Sequence, residues 1–226
     1  APVTEPWSSI EKLGKEKELV GIYISAHPLD DYSLILDNLC NTTCSEVGSR
    51  DNYDALSVKQ ELTFGGIVTK VNQRFNKRGE PFGIVTIEDF NGPGEIALFG
   101  EEWGRWNGRL TEGCSVFITA KCFKRFPTSK NHSLVINNIE YLQTVKSDRI
   151  ESFTINVKSK TIDDAVVNDI LSMVVDSPGK TQLYFNIKDE ENNSNILLHA
   201  RSGGIEVKRQ LVQYVEENED MSYKLN

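Results

Sequence analysis

Leu62-Thr63-Phe64-Gly65-Gly66-Ile67-Val68-Thr69-Lys70-Val71 begins the stretch that decides the fold. After a basic turn it continues as Phe82-Gly83-Ile84-Val85-Thr86-Ile87-Glu88-Asp89 and then Glu95-Ile96-Ala97-Leu98-Phe99. Two more runs follow, Ser115-Val116-Phe117-Ile118-Thr119-Ala120-Lys121 and Leu134-Val135-Ile136-Asn137-Asn138-Ile139. Each run is rich in β-branched or aromatic residues, and Gly, Pro or Asn separates most from the next, which is the composition of strands and turns. The gap between the third and fourth runs carries Trp103 and Trp106 and is long enough for a short helix.

Five strands in this order predict a Greek-key barrel of the oligonucleotide-binding (OB) type, so the fold class is α+β. Gly65-Gly66 sits early in the first strand, where a barrel must coil and backbones approach closely. In the second strand Phe82, Ile84, Thr86 and Glu88 alternate with Gly83, Val85, Ile87 and Asp89. Phe99, Trp103 and Trp106 read as core or barrel-plug residues.

Outward from the barrel, residues 4–24 carry Trp7, Ile10, Leu13, Leu19, Val20, Ile22 and Tyr23 at helix-like spacing, opposite a charged face. Pro28 biases His27 away from helix, and Leu29 through Leu39 can form a second helix. The polar segment from Cys40 to Asn52 reads as a linker. Past Ser152 the period changes to β-α-β-β-α. Phe153, Ile155 and Val157 alternate, a helix follows Thr161, Leu183 to Ile187 and Ile196 to Ala200 pair as strands, and a last helix spans Ile205 to Val215. The expected organisation is a helical junction and linker over 1–52, an OB domain over 53–145 and a small α/β domain over 146–226.

The chain has 226 residues and a net charge of −8. No apolar run approaches the ~20 residues that span a bilayer, and the first residues lack a basic-then-apolar signal, so no membrane association and a cytoplasmic location are expected. The chain opens on Ala1 in mid-pattern, which reads as part of a longer protein. Charge is uneven. From Leu62 to Tyr141 ten Lys and Arg face eight Asp and Glu, and the remainder has fifteen against twenty-five. A mildly basic barrel between acidic flanks points to one nucleic-acid-facing module, with other surfaces doing something else.

Catalytic constellations are missing from the sequence. It has no Gly-rich phosphate loop and no nucleophile elbow. Its three histidines are scattered, and Cys40, Cys44, Cys114 and Cys122 do not form the two close pairs a structural zinc site needs. No catalytic residue, metal or cofactor is assigned. The adjacent pairs Asp30-Asp31, Asp163-Asp164 and Glu216-Glu217 read as solvated faces and helix caps. The barrel offers a different chemistry, since single strands are held by cations that track phosphates and aromatics that stack on bases. The first hairpin supplies Lys70, Arg74, Phe75, Lys77, Arg78 and Phe82. The end of the fourth strand and the following loop supply Lys121, Phe123, Lys124, Arg125, Phe126, Lys130 and His132. Both clusters fall on the loops that OB barrels use for binding. Phosphate contact and stacking tolerate any sequence, so a single-stranded nucleic acid without sequence preference is the expected partner. A barrel that binds protein instead is the alternative, and the net charge permits it.

Residues Glu16-Lys17-Glu18-Leu19-Val20-Gly21-Ile22-Tyr23-Ile24-Ser25-Ala26-His27-Pro28-Leu29-Asp30-Asp31-Tyr32 resemble the segment that precedes the OB domain in the bacterial DNA polymerase III alpha subunit. Gly65-Gly66-Ile67-Val68 and Lys77-Arg78-Gly79-Glu80-Pro81-Phe82 resemble its first strand and hairpin. Ala26 stands where the family usually has Gly. The resemblance implies a replicative DNA polymerase whose catalytic carboxylates and Mg lie upstream of this stretch. It also implies an OB domain for single-stranded template DNA and a last domain that docks the tau subunit of the clamp loader. The sliding clamp and other replisome subunits would be reached through the parent chain. The helix over 205–217 and its acidic end are the sequence-based expectation for the tau surface.

Overall fold

The computed structural model describes residues 16, 19, 27–124, 132–175, 177–201 and 203–226. Most of the expected helix over 4–24 and of the 16–32 segment, and Arg125, Phe126 and Lys130, lie outside these. The chain divides into two compact units, residues 1–142 and 143–226.

In the first unit, β1 (Leu62–Phe75), β2 (Pro81–Asp89), β3 (Gly92–Phe99), β4 (Ser115–Lys124) and β5 (His132–Tyr141) form one antiparallel sheet in the order β3-β2-β1-β4-β5. The 14-residue β1 serves both halves of the sheet. Its first part, Leu62 to Ile67, pairs with β4, and its second part, Ile67 to Phe75, pairs with β2. The register shifts between Val68 and Lys70. At this changeover the two partners crowd β1 from both sides. A Cβ on Gly66 would stand 2.4 Å from the Glu88 carbonyl oxygen, and one on Gly65 2.9 Å from that of Val116. The glycine pair therefore marks the close approach that the sequence implied.

Alternation fills the barrel. Phe64, Val68, Val85, Ile87, Ile96, Leu98, Val116, Ile118, Ala120, Ile136 and Ile139 point into one core with Trp103 and Trp106. Both tryptophans lie on the short helix between β3 and β4 and plug that end. Gly83 makes room for them, since a Cβ there would fall 2.1 Å from the Trp103 ring.

The 40–52 stretch is not a bare linker. Helix α1 (Ser33–Leu39) buries Leu34 and Ile35, and α2 (Cys44–Gly48) buries Cys44 and Val47 in the barrel core. A capping box starts α2: the Thr43 hydroxyl accepts from the Glu46 N–H, and the Glu46 carboxylate accepts from the Thr43 N–H. Asp89 of β2 then accepts the Cys44 N–H at 2.7 Å, and Gly94 lets the α2 backbone seat against β3. The polar composition that suggested a linker comes from capping groups. After α3 (Tyr53–Leu56) the chain enters β1.

The helix carrying the tryptophans is α4 (Glu101–Trp106), and α5 (Leu142–Asp148) leads out of β5. The second unit contains β6 (Ser152–Lys158), α6 (Asp164–Val175), β7 (Pro178–Asp189), β8 (Ser194–His199), α7 (Arg209–Glu216) and β9 (Met221–Leu225). Its sheet runs β8-β7-β6-β9, with β6 and β7 parallel and the other pairs antiparallel. The terminal strand β9 adds to the β-α-β-β-α pattern seen in the sequence. No helix among the described residues is long and apolar enough to cross a membrane.

Candidate nucleic-acid interface

Period-two alternation decides which side chains of the first hairpin share a face. Gly83, Val85 and Ile87 are spent on the core, so Phe82, Ile84 and Thr86 turn outward. Ile96 and Leu98 point inward on β3, so Ala97 and Phe99 turn outward beside them. The pairing lines up three cross-strand rows on that outer face: Arg74, Phe82 and Phe99; Asn72, Ile84 and Ala97; Lys70, Thr86 and Glu95. The Phe82 and Phe99 rings stack, with centroids 5.3 Å apart and planes at 21°. Phe99 remains 55% exposed, so the pair presents an open aromatic platform, with Arg74 next to Phe82 in the cross-strand row.

The hairpin tip is braced from within. Asn76 Oδ1 accepts the N–H groups of Arg78 and Glu80 at 2.8 and 3.0 Å, Asn76 Nδ2 donates to Glu80, and Gly79 takes a positive φ of 77°. Lys77 and Arg78 are exposed at the tip. Phe75 pairs with Pro81, one residue out of phase with Arg74, and so faces the other side of the hairpin from the Phe82–Phe99 platform.

The β4–β5 hairpin comes to the same place. No backbone ladder joins β3 to β5 among the described residues. Glu102 of α4 reaches across instead and accepts the Ile136 N–H at 2.6 Å. Burial pushes the Glu102 carboxyl above the usual carboxylate range, against the lowering pull of that N–H and of Arg105. The gap between β3 and β5 widens into a cleft of about 1160 Å³, lined by Phe82 and Phe99 on one wall and by Phe123 and His132 on the other. The structure thus brings aromatics of both sequence clusters to one opening. Lys121 and Lys124 are exposed beside it. His132 is engaged by the protein itself: its Nδ1 lies 2.6 Å from Asp54 Oδ1, out of line for a good hydrogen bond.

The cleft floor is more acidic than the sequence clusters implied. Arg50 and Arg105 line it, along with Asp51, Asp54, Glu80, Glu95, Glu101 and Glu102. None of Lys70, Arg74, Lys77, Arg78, Lys121 or Lys124 lines it, so these exposed cations lie outside an aromatic and acidic centre. Chemically, the arrangement can stack bases on Phe82, Phe99 and Phe123 while phosphates run along these cations, away from the carboxylates. Phe99 was missed as a candidate because it was grouped with the two tryptophans. The inward Ile96 and Leu98 were the signal that should have turned it outward. No group of three or more His, Cys, Asp or Glu placed to hold a metal occurs among the described residues.

Fold and outer-face chemistry define an OB-fold domain of the nucleic-acid-binding class: residues 62–142 match the family model described as "OB-fold nucleic acid binding domain". Residues 153–226 match the family model described as "DNA polymerase III alpha subunit, C-terminal domain". Curated relatives carry the same description. The DNA polymerase III subunit alpha of Mycobacterium leprae is 24% identical over 81% of this chain and 15% of its own length. That of Borreliella burgdorferi is 28% identical over 87% of this chain and 17% of its own length. The chain therefore spans about one sixth of the relatives it matches. Among solved structures, the yeast mitochondrial single-stranded DNA binding protein Rim1 covers 37% of this chain and 95% of its own at 15% identity. Its TM-score is 0.28.

Proposed function

We propose that this chain serves a replicative DNA polymerase as a non-catalytic C-terminal region, holding single-stranded template through the OB unit and docking the clamp-loader tau subunit through residues 143–226. The observation that carries the first part is the exposed Phe82–Phe99 stack beside Arg74, facing Phe123 across one cleft. The hairpin cations supply a sequence-independent, salt-sensitive attraction, and the aromatics supply stacking. The acidic floor keeps the affinity modest. Polymerase chemistry, its Mg and contact with the sliding clamp would belong to the parent subunit, and a cytoplasmic location follows from that role.

A titration of labelled oligo-dT at two salt concentrations tests the DNA part. Affinity should fall as salt rises, and Arg74→Ala with Lys77→Ala should weaken binding and flatten the salt slope by about 1.4 units. Salt-independent binding, or no loss in the double variant, counts against it. Calorimetry with purified tau tests the second part, with saturable binding expected. The specific observation that favours a different reading is the carboxylate-rich cleft floor, which suits a basic peptide. In that reading the barrel binds protein, and oligo-dT fails to bind even at low salt.

A further inference from the structure

In the second unit, one flank of helix α6 and one edge of the sheet are apolar and bare. Ile170 and Val174 set the side of α6 that packs on the sheet. Val167, Leu171 and Val175 follow at i, i+4 and i+8, centred about 100° round from that side at 3.6 residues per turn. They are 50%, 53% and 66% exposed. Asp169 lies about 100° round in the other direction, where its carboxylate accepts the Tyr214 hydroxyl of α7 at 3.2 Å. Helix α7 packs against β9 at the far side of the sheet. The bare flank of α6 therefore faces away from α7, over β7 and β8.

The sheet beneath that flank is uncovered. Phe153, Ile155 and Val157 of β6 are buried on the helix side, and the register carries that side through Phe185 and Ile187 of β7 to Leu198 and Ile196 of β8. Ile196 and Leu198 are 49% and 48% exposed. An α6 flank and a β7–β8 floor, both apolar, make a trough with room for one more helix beside α6. Ile205 bridges to Pro178 and Thr181, and Glu206 N–H donates to Ser177, so the crossover closes the trough near the C-terminal end of α6. At the opposite end, Asp163 and Asp164 precede or begin α6, and Asp189, Glu190 and Glu191 form the β7–β8 turn. Lys158 meets Glu190 at 3.7 Å, and Asp163 and Asp189 accept local backbone N–H groups, so the end is acidic on balance rather than five free carboxylates.

We infer that this trough takes an amphipathic helix of a partner protein, with an aliphatic stripe against Val167, Leu171, Ile196 and Leu198 and with Lys or Arg at the end lying on the acidic rim. The charge of the rim selects that occupant over an acidic or uncharged helix. The inference rests on the reading of residues 143–226 as a docking unit, not on the identity of tau. It moves the docking surface from α7, whose Leu211, Val212 and Val215 are buried, to the opposite flank of α6.

The test is methyl NMR of the full chain titrated with two synthetic helices that share a leucine stripe, one ending in Lys and Arg, the other in Asp and Glu. The cationic helix should shift the methyls of Val167, Leu171, Val175, Ile196 and Leu198 and bind at least ~10-fold more tightly than the acidic one, a preference of the size an added charge contact gives. Leu171→Asp with Leu198→Asp should lose that binding, whereas Leu197→Asp, on the other face of β8, should retain it. These sites are exposed, so the fold should survive. No methyl shift with either helix, equal affinity for both, or self-association of the chain that covers the same methyls overturns the inference. Binding of the cationic helix without binding of tau removes the tau reading and leaves the trough; tau binding unaffected by the double variant removes the trough.

Discussion

Phe99 concentrates the argument at the scale of single residues. Its ring is exposed, stacked on Phe82 and paired in register with it. Base–aromatic stacking contributes about 1–3 kcal/mol per base, so Phe99→Ala should weaken oligo-dT binding by roughly 5- to 150-fold while Phe99→Trp holds or improves it; fluorescence anisotropy reads both. Glu102 gives a prediction with a sign. Its folded carboxyl is held above the ordinary range by burial, so the fold favours the protonated form. That contribution is present at low pH and fades as pH rises through the raised value. Glu102→Gln keeps an acceptor for the Ile136 N–H and removes the charge. It should raise the melting temperature at pH 7 by no more than about 2 °C, because the half-exposed group is screened. It should also strengthen DNA binding at low salt by easing the acidic floor. Cys40 is inert for a similar reason. Burial, with Asp89 and Asp37 nearby, pushes its thiol up to about 12, so iodoacetamide at pH 8 should alkylate it at least ~100-fold more slowly than free cysteine. Arg74 and Phe82 were legible in the sequence as a cation and an aromatic at the ends of readable strands. Phe99 was grouped with Trp103 and Trp106, although the inward Ile96 and Leu98 turn it outward.

At the scale of elements, strands were more legible than caps. The five barrel runs showed themselves because inward β-branched and aromatic residues alternate with outward ones, as Val85 and Ile87 do against Ile84 and Thr86. Helix α2 stayed hidden because five residues, Cys44–Gly48, are too few to show a 3.6-residue period, and its capping groups made the segment look like a loop. Strand β9 stayed hidden because five residues after the acidic turn Glu216–Asp220 carry little pattern. Two substitutions test how these elements are held. Thr43→Ala removes the cap of α2 and should cost about 1 kcal/mol. Gly83→Ala drives a methyl into the Trp103 ring, 2.1 Å away, and should cost about 3 kcal/mol. Urea unfolding reads both, with the larger loss expected at Gly83.

For the whole molecule, two units with separate sheets divide the work. The barrel unit carries the aromatic platform and the hairpin cations, and the second unit carries an apolar trough with an acidic end. This division explains how a chain of net charge −8 can still present a basic surface: the carboxylates sit mainly outside the barrel and in the cleft, and exposed cations sit on the two barrel hairpins. The sequence showed the charge asymmetry but not the floor, because Asp51, Asp54 and Glu95 reach the cleft only once α3, β3 and β5 converge. The central claim is that single-stranded DNA lies in that cleft on the three phenylalanines. Photocrosslinking with oligonucleotides carrying 5-iododeoxyuridine, followed by peptide mapping, tests it most directly. The account predicts adducts at Phe82, Phe99 or Phe123 that disappear with excess unlabelled oligo-dT; adducts confined to residues 143–226, or none at saturating DNA, would contradict it.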